Sequence, residues 1–153
     1  MPMFGEALAA DIGRRHGRPV EMMHLKHGIF DDASISVITS DTAREVCRLA
    51  GTHADVRRFR PNVVVQSARA IPFEEDAWLD GVLTFGDASD GPAIAVTMHD
   101  VRCAMVNYDP DSANPNPEVL KAVVRANDNR AGVYGTVTRI GQLAVGQRVV
   151  LHR

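Results

Sequence analysis

The stretch Val82-Leu83-Thr84-Phe85, Gly86-Asp-Ala-Ser-Asp-Gly-Pro92, Ala93-Ile-Ala-Val-Thr97 lies near the middle of the chain. Its two outer parts are rich in β-branched, aliphatic and aromatic residues, which favour strands. The part between them consists mostly of Gly, Asp, Ser and Pro, which is typical of a turn. The sequence therefore predicts two short strands separated by a turn-rich connection.

Short strands are predicted on both sides of this stretch, and helices are few. Further strands are predicted at Val20–Leu25, Ser34–Thr39, Val63–Gln66, Cys103–Tyr108, Tyr134–Ile140 and Arg148–His152. Helices are predicted at 5–16, at 118–126 and in a segment that Ser40 or Asp41 caps and that ends at Leu49. This pattern indicates an α+β, mainly β fold: a closed or partly closed β-barrel with a few peripheral helices.

Length and composition set limits on the class of protein. The chain has 153 residues, 45% apolar and 24% charged, which predicts one globular domain over 1–153 and excludes a disordered or fibrous chain. The net charge of −2 gives no general attraction to nucleic acid or membrane. No signal peptide, membrane-spanning run or disulfide framework is visible, so we expect a cytoplasmic protein.

The segment Arg57-Arg-Phe-Arg-Pro-Asn62 precedes a predicted buried strand. Pro61 is expected to push Arg60 into an extended conformation. Arginine side chains form paired hydrogen bonds with phosphate and other oxyanions, so the segment predicts an anion site. A solvated cationic turn is the alternative interpretation.

Cys103 follows Arg102 directly. A cation beside a thiol stabilises the thiolate, which binds soft metals and is also a competent nucleophile or sulfur carrier. The alternative is a small core residue on a strand. For Cys47, in an amphipathic helix, only the packing role is expected.

Two acidic segments have structural interpretations. Asp109-Pro-Asp111 is typical of a turn; its acids either cap that turn or orient an arginine across the site. Phe73 and Trp78 flank Glu74-Glu75-Asp76 in a predicted loop, and we expect these large aromatic rings to fix that loop to the barrel.

In order along the chain, these segments resemble the MOSC domain, the C-terminal module of molybdenum-cofactor sulfurases. The resemblance covers residues 18–152. Its motifs are His27-Gly-Ile-Phe-Asp31, Ser34–Thr39, Arg58-Phe-Arg-Pro-Asn62, Phe73-Glu-Glu-Asp76 with Trp78, Arg102-Cys103, Asp109-Pro-Asp111, Gly135 and Gly141–Gly146.

The resemblance implies a barrel-like domain, related to the amidoxime-reducing component, that binds molybdenum cofactor. Cys103 would coordinate molybdenum. Residues predicted to contact the cofactor are Arg58, Arg60, Asn62, Arg102 and, from a polar loop near the phosphate, Ser34. Larger relatives carry an N-terminal β-barrel domain that we do not expect here.

Three functions stay open from the sequence. The first is a molybdenum-dependent reductase of N-hydroxylated compounds, supplied with electrons by a separate reductase. The second is a sulfur carrier that holds a persulfide on Cys103 and takes it from a partner such as a cysteine desulfurase. The third is a binding domain without the cofactor. Pyridoxal phosphate is not expected, because neither Lys26 nor Lys121 lies in a recognisable cofactor context.

Overall fold

A six-stranded sheet dominates the computed structural model, which describes residues 5–21, 32–87 and 90–153. Residues 5–21 belong to one compact unit and residues 32–153 to a second. The first contains helix α1 (Glu6–His16). The second contains α2 (Ser40–Leu49), α3 (Glu118–Asn127) and the strands β1 (Ile35–Thr39), β2 (Val63–Val65), β3 (Val82–Phe85), β4 (Ala93–Val101), β5 (Arg130–Arg139) and β6 (Val149–His152).

The strand order is β2-β1-β5-β4-β3-β6, and only the β1–β2 pair is parallel. The α+β, mainly β class is confirmed. The predicted closed barrel is not confirmed. The described strands form a curled, open half-barrel with β2 and β6 at its edges. The predicted strand Val20–Leu25 lies mostly outside the described residues, as does the motif His27–Asp31.

Two groups of buried apolar side chains form the core. One packs α2 and α3 together and includes Val46, Cys47 and Phe59. The other is contributed mainly by the strands and includes Leu83 and Trp78. Cys47 is fully buried, as its predicted packing role requires.

The prediction of a strand at Cys103–Tyr108 is wrong. Strand β4 extends to Val101, where it pairs with Arg130 at the beginning of β5. The backbone N–H of Arg102 then bonds to the carbonyl of Asn129 at 2.9 Å, and residues Ala104–Asn107 form a short 3-10 helix. Cys103 therefore lies at the junction between a strand and a helix.

The segment predicted as a loop around the three acids also contains a 3-10 helix, Glu74–Trp78. Trp78 is buried, as expected, and Phe73 packs against the helical part of the core. Among the described residues, no helix combines the length and apolar character that a membrane crossing requires.

Candidate functional site

Cys103 carries a free and exposed thiol at the end of β4. Its backbone is extended, with φ −106°, and its carbonyl accepts a hydrogen bond from the N–H of Val106 at 3.4 Å. The alternative interpretation, a small core residue on a strand, is therefore wrong. An exposed thiol is open to a metal, an electrophile or another sulfur atom.

Arg102, the neighbour of Cys103, is buried, and its side chain contacts three groups of the protein. Nε donates to the carbonyl of Ala131 at 2.6 Å, and Nη1 donates to the carbonyl of Phe59 at 2.7 Å. Nη2 lies 2.8 Å from a carboxylate oxygen of Asp100. Burial lowers the pKa of Arg102, and Asp100 opposes that shift. Arg102 thus points into the protein and not toward solvent beside the thiol.

A chain of short contacts joins Arg102 to Asn62. The hydroxyl of Ser36 donates to Asp100 Oδ2 at 2.8 Å. The backbone N–H of Ser36 donates to Asn62 Oδ1 at 2.8 Å, and the N–H of Asn62 donates to the carbonyl of Ser36 at 2.9 Å. Neither Ser36 nor Asp100 was predicted as a site residue; their signal in the sequence is a polar residue within an apolar strand pattern.

Both acids of Asp109-Pro-Asp111 pair with arginines, and Asp109 also caps a turn. Asp109 Oδ2 pairs with Arg58 Nη2 at 2.7 Å, while Oδ1 accepts from the backbone and hydroxyl of Ser112. Asp111 pairs with Arg57, again at 2.7 Å. Hydrogen bonds from Ser112 lower the pKa of Asp109, and the bond from Arg57 lowers that of Asp111. Both interpretations of this motif, turn capping and arginine orientation, are therefore confirmed.

Arg60 is exposed and lies in the left-handed region, with φ 50° and ψ 41°. The predicted extended conformation is wrong. The reason is that Arg60 ends the 3-10 helix Val56–Phe59, and its N–H bonds back to the carbonyl of Arg57 at 3.0 Å. This bond reverses the chain before β2 begins.

The contacts bring the segments 57–62 and 100–103 together, through Phe59 and through Asn62. Ser34 is not in this network; its hydroxyl donates to the carbonyl of Gly135 at 3.4 Å. Two cavities near β3 and β6, of about 970 and 610 Å³, are lined by other residues. That the predicted residues contact a ligand stays a prediction.

Gly132 on β5 makes room for the guanidinium of Arg102. Its φ is +94°, and a Cβ atom there would lie 2.8 Å from the carbonyl oxygen of Val37 and 2.9 Å from Arg102 Nη2. Both the backbone conformation and the space therefore require glycine.

Replacing Gly132 with alanine is expected to destabilise the fold by about 2–3 kcal/mol, because left-handed strain and steric overlap add together. Urea unfolding would measure the loss. The control is Gly51→Ala, which has φ +63° but open space around the new Cβ. That change should cost only about 1 kcal/mol. Equal losses for the two variants would contradict a requirement for space beside Arg102.

Glu75 is a fully buried acid at the N-terminus of α2. Oε2 accepts hydrogen bonds from the hydroxyls of Thr39 and Thr42, both at 2.9 Å, and Oε1 accepts from the N–H of Thr39 at 3.3 Å. Burial nevertheless raises the pKa of Glu75 above its ordinary value of 4.5. Glu75 therefore links the acidic motif to the β1–α2 junction.

This raised pKa predicts a pH-dependent effect of Glu75→Gln. A raised native pKa means that the contribution of the acid is fully present below its unfolded pKa and is lost as pH rises through the native value. Glutamine resembles the protonated acid at every pH. The stability of the variant relative to wild type is therefore expected to improve as pH rises from about 4.5 to the raised native pKa of Glu75, and to level off above it. Urea unfolding from pH 4 to pH 8 would test this, and a constant difference would contradict it.

Comparisons with known proteins bear on the whole domain. The family model described as "MOSC domain" matches residues 13–150. The crystal structure of the YUAD protein from Bacillus subtilis has a TM-score of 0.61 to this chain at 21% sequence identity, over 81% of this chain. The match covers 66% of the YUAD chain. No curated protein is significantly similar to the chain.

Proposed function

Because the chain belongs to the MOSC domain family, we propose that it binds molybdenum cofactor and reduces N-hydroxylated compounds with electrons from a separate reductase. The observation that carries this proposal is the exposed thiol of Cys103, which directly follows the buried, ion-paired Arg102. A thiolate is the protein ligand that soft metal centres select.

The protein ligand available at this site suits a metal whose other ligands belong to its cofactor. In the described part of the chain, no group of three or more His, Cys, Asp or Glu side chains could hold a metal ion. One exposed thiol would therefore be a single protein ligand, which suits a metal already bound by the dithiolene sulfurs of a pterin. A bare zinc or iron ion would need more protein ligands than this site offers.

The arginines divide into two roles. Arg60 is exposed and available to a phosphate or pterin, and the exposed Asn62 lies two residues further on. Arg58 and Arg102 are buried, and each is paired with an acid: Arg58 with the partly exposed Asp109, and Arg102 with the buried Asp100. We therefore assign direct cofactor contact to Arg60 and Asn62, and support of the site to Arg58 and Arg102.

When bound, the cofactor would supply the two-electron chemistry by which an N–OH group, two protons and two electrons become N–H and water. The residues of this chain would bind the cofactor and orient it. Cys103 would hold the metal, and the exposed Arg60 would neutralise anionic charge of the cofactor. The exposure of the thiol leaves room for a substrate and for an electron-transfer partner.

The same exposure supports a second candidate function, a sulfur carrier. A persulfide on Cys103 needs a thiol that a cysteine desulfurase and an acceptor can both reach, and Cys103 meets that requirement. In this case the site would carry a reducible sulfur atom and need no molybdenum.

Elemental analysis of the full chain separates these functions. The protein is purified from a host that makes molybdenum cofactor, and molybdenum and reducible sulfur are counted per chain. One molybdenum per chain supports the reductase. One reducible sulfur without molybdenum supports the carrier. Neither, even after reconstitution with cofactor and with a desulfurase, would contradict both and leave a binding domain without the cofactor.

A further inference from the structure

The carboxylate of Asp100 lies in the interior of the candidate site, between the segment 57–62 and Cys103. Its relative exposure is 1%. A single oxygen, Oδ2, accepts the hydroxyl of Ser36 at 2.8 Å and lies 2.8 Å from Nη2 of Arg102. A buried carboxylate with this pairing compensates the buried guanidinium and limits where its side chain can lie.

Two partners of Asp100, Ser36 and Arg102, connect it to exposed residues of the site. Ser36 makes two hydrogen bonds to Asn62, one through each backbone group. Arg102 is bonded covalently to Cys103, so its fixed side chain restrains the peptide that carries the thiol. The carboxylate thus contacts Ser36, which bonds to Asn62, and Arg102, which precedes Cys103.

We propose that Asp100 is the positioning residue of this site: it neutralises Arg102 and ties the backbone of Cys103 to that of Asn62. The inference rests on the proposed role of Cys103 as the reactive residue. In wild type, the charges of Asp100 and Arg102 cancel, so this pair adds little to the electrostatic potential at the Cys103 thiol. Arg102 interacts electrostatically with Cys103, so without the carboxylate its positive charge would act on the thiol uncompensated.

The test compares two alkylating reagents of similar size on the full chain without cofactor. Iodoacetate is an anion and iodoacetamide is neutral, so the ratio of their rates at Cys103 reports the local potential. Peptide mass spectrometry distinguishes Cys103 from Cys47. For Asp100→Asn we expect the iodoacetate-to-iodoacetamide ratio to rise about threefold to tenfold. Loss of a purely structural role would change the accessibility of the thiol to both reagents and so change both rates together.

A charge-neutral variant keeps the test decisive if Asp100→Asn does not fold. Asp100→Asn with Arg102→Gln removes both charges and leaves no buried ion unpaired. Its rate ratio should equal that of wild type within about twofold, because both sites carry no net charge. A ratio far below wild type would mean that Arg102 acts as an uncompensated cation, and would overturn the proposal.

Asp41→Asn is the matched control. It also removes a buried carboxylate from an arginine, since Asp41 pairs with Arg44 at 2.6 Å on α2. The rate ratio at Cys103 should not change in this variant. An unchanged ratio in folded Asp100→Asn would also overturn the proposal. Molybdenum loading plays no part in this measurement, so the proposed function and this inference can fail separately.

Discussion

Replacing Cys103 with serine is expected to reduce molybdenum loading to background while the far-ultraviolet circular dichroism spectrum and the unfolding temperature stay unchanged. Serine has nearly the volume of cysteine but offers a hard, protonated oxygen in place of a soft thiolate. Because residue 103 is exposed, its side chain contributes little to packing. Metal content per chain and thermal unfolding would be measured on the same preparation. If the chain is a sulfur carrier, the reducible sulfur should disappear instead.

Cys47→Ser is the control for this result. Cys47 is fully buried against α3 and the 3-10 helix before β2, and burial raises the pKa of its thiol. Its replacement should change neither molybdenum nor sulfur content. A Cys103→Ser protein that keeps full metal and sulfur loading would show that the exposed thiol is not the ligand.

The elements predicted well are those whose signals are local. The strand-favouring residues of Val82–Phe85 and the amphipathic pattern that ends at Leu49 correspond to the strand Val82–Phe85 and the helix Ser40–Leu49. The predicted cap, Ser40 or Asp41, is wrong, because the cap lies one residue earlier, at the end of β1. Thr39 caps α2 by accepting the N–H of Thr42, and this contact spans only three residues.

The errors lie where distant parts of the chain decide the structure. The apolar run after Cys103 has the composition of a strand, yet β4 stops at Val101, where its partner strand begins. The extended conformation expected for Arg60 gives way to a helix-ending hydrogen bond. No pattern of composition near either residue contains that information.

In the candidate site, too, local signals predict some features, whereas others depend on distant parts of the chain. The residue types and their order indicated an anion-binding segment and a thiolate, and the structure brings these two segments together through Phe59 and Asn62. Sequence could not tell which arginines are already paired. Arg58 is paired with Asp109 and Arg102 with Asp100. Arg60 is exposed instead, and only tertiary contacts make that distinction.

The open sheet follows from how strand pairing ends among the described residues. The edge strand β2 has three residues and pairs with β1, and β6 at the other edge has four residues and pairs with β3. A count of strand-like segments predicts how much sheet forms but not whether its edges meet, because closure depends on tilt and stagger between strands.

Trp78→Ala is expected to lower the free energy of unfolding by about 3–5 kcal/mol. Trp78 is 7% exposed and packs with Leu83 and other side chains of the sheet core, at the end of the 3-10 helix that contains Glu75. Alanine would leave a large cavity there and loosen the attachment of the acidic motif to the sheet. A loss of this size is a large part of the 5–15 kcal/mol typical of a domain.

The measurement is urea unfolding followed by circular dichroism, because Trp78 is the only tryptophan and the variant loses its fluorescence signal. Tyr108→Ala is the control: this aromatic side chain is 45% exposed, and its loss should cost less than about 1 kcal/mol. In wild type, the Trp78 emission should lie at the short wavelengths of a buried indole. A Trp78→Ala protein as stable as wild type would mean that the acidic motif is held by its polar contacts alone, through Glu75 and its threonine partners.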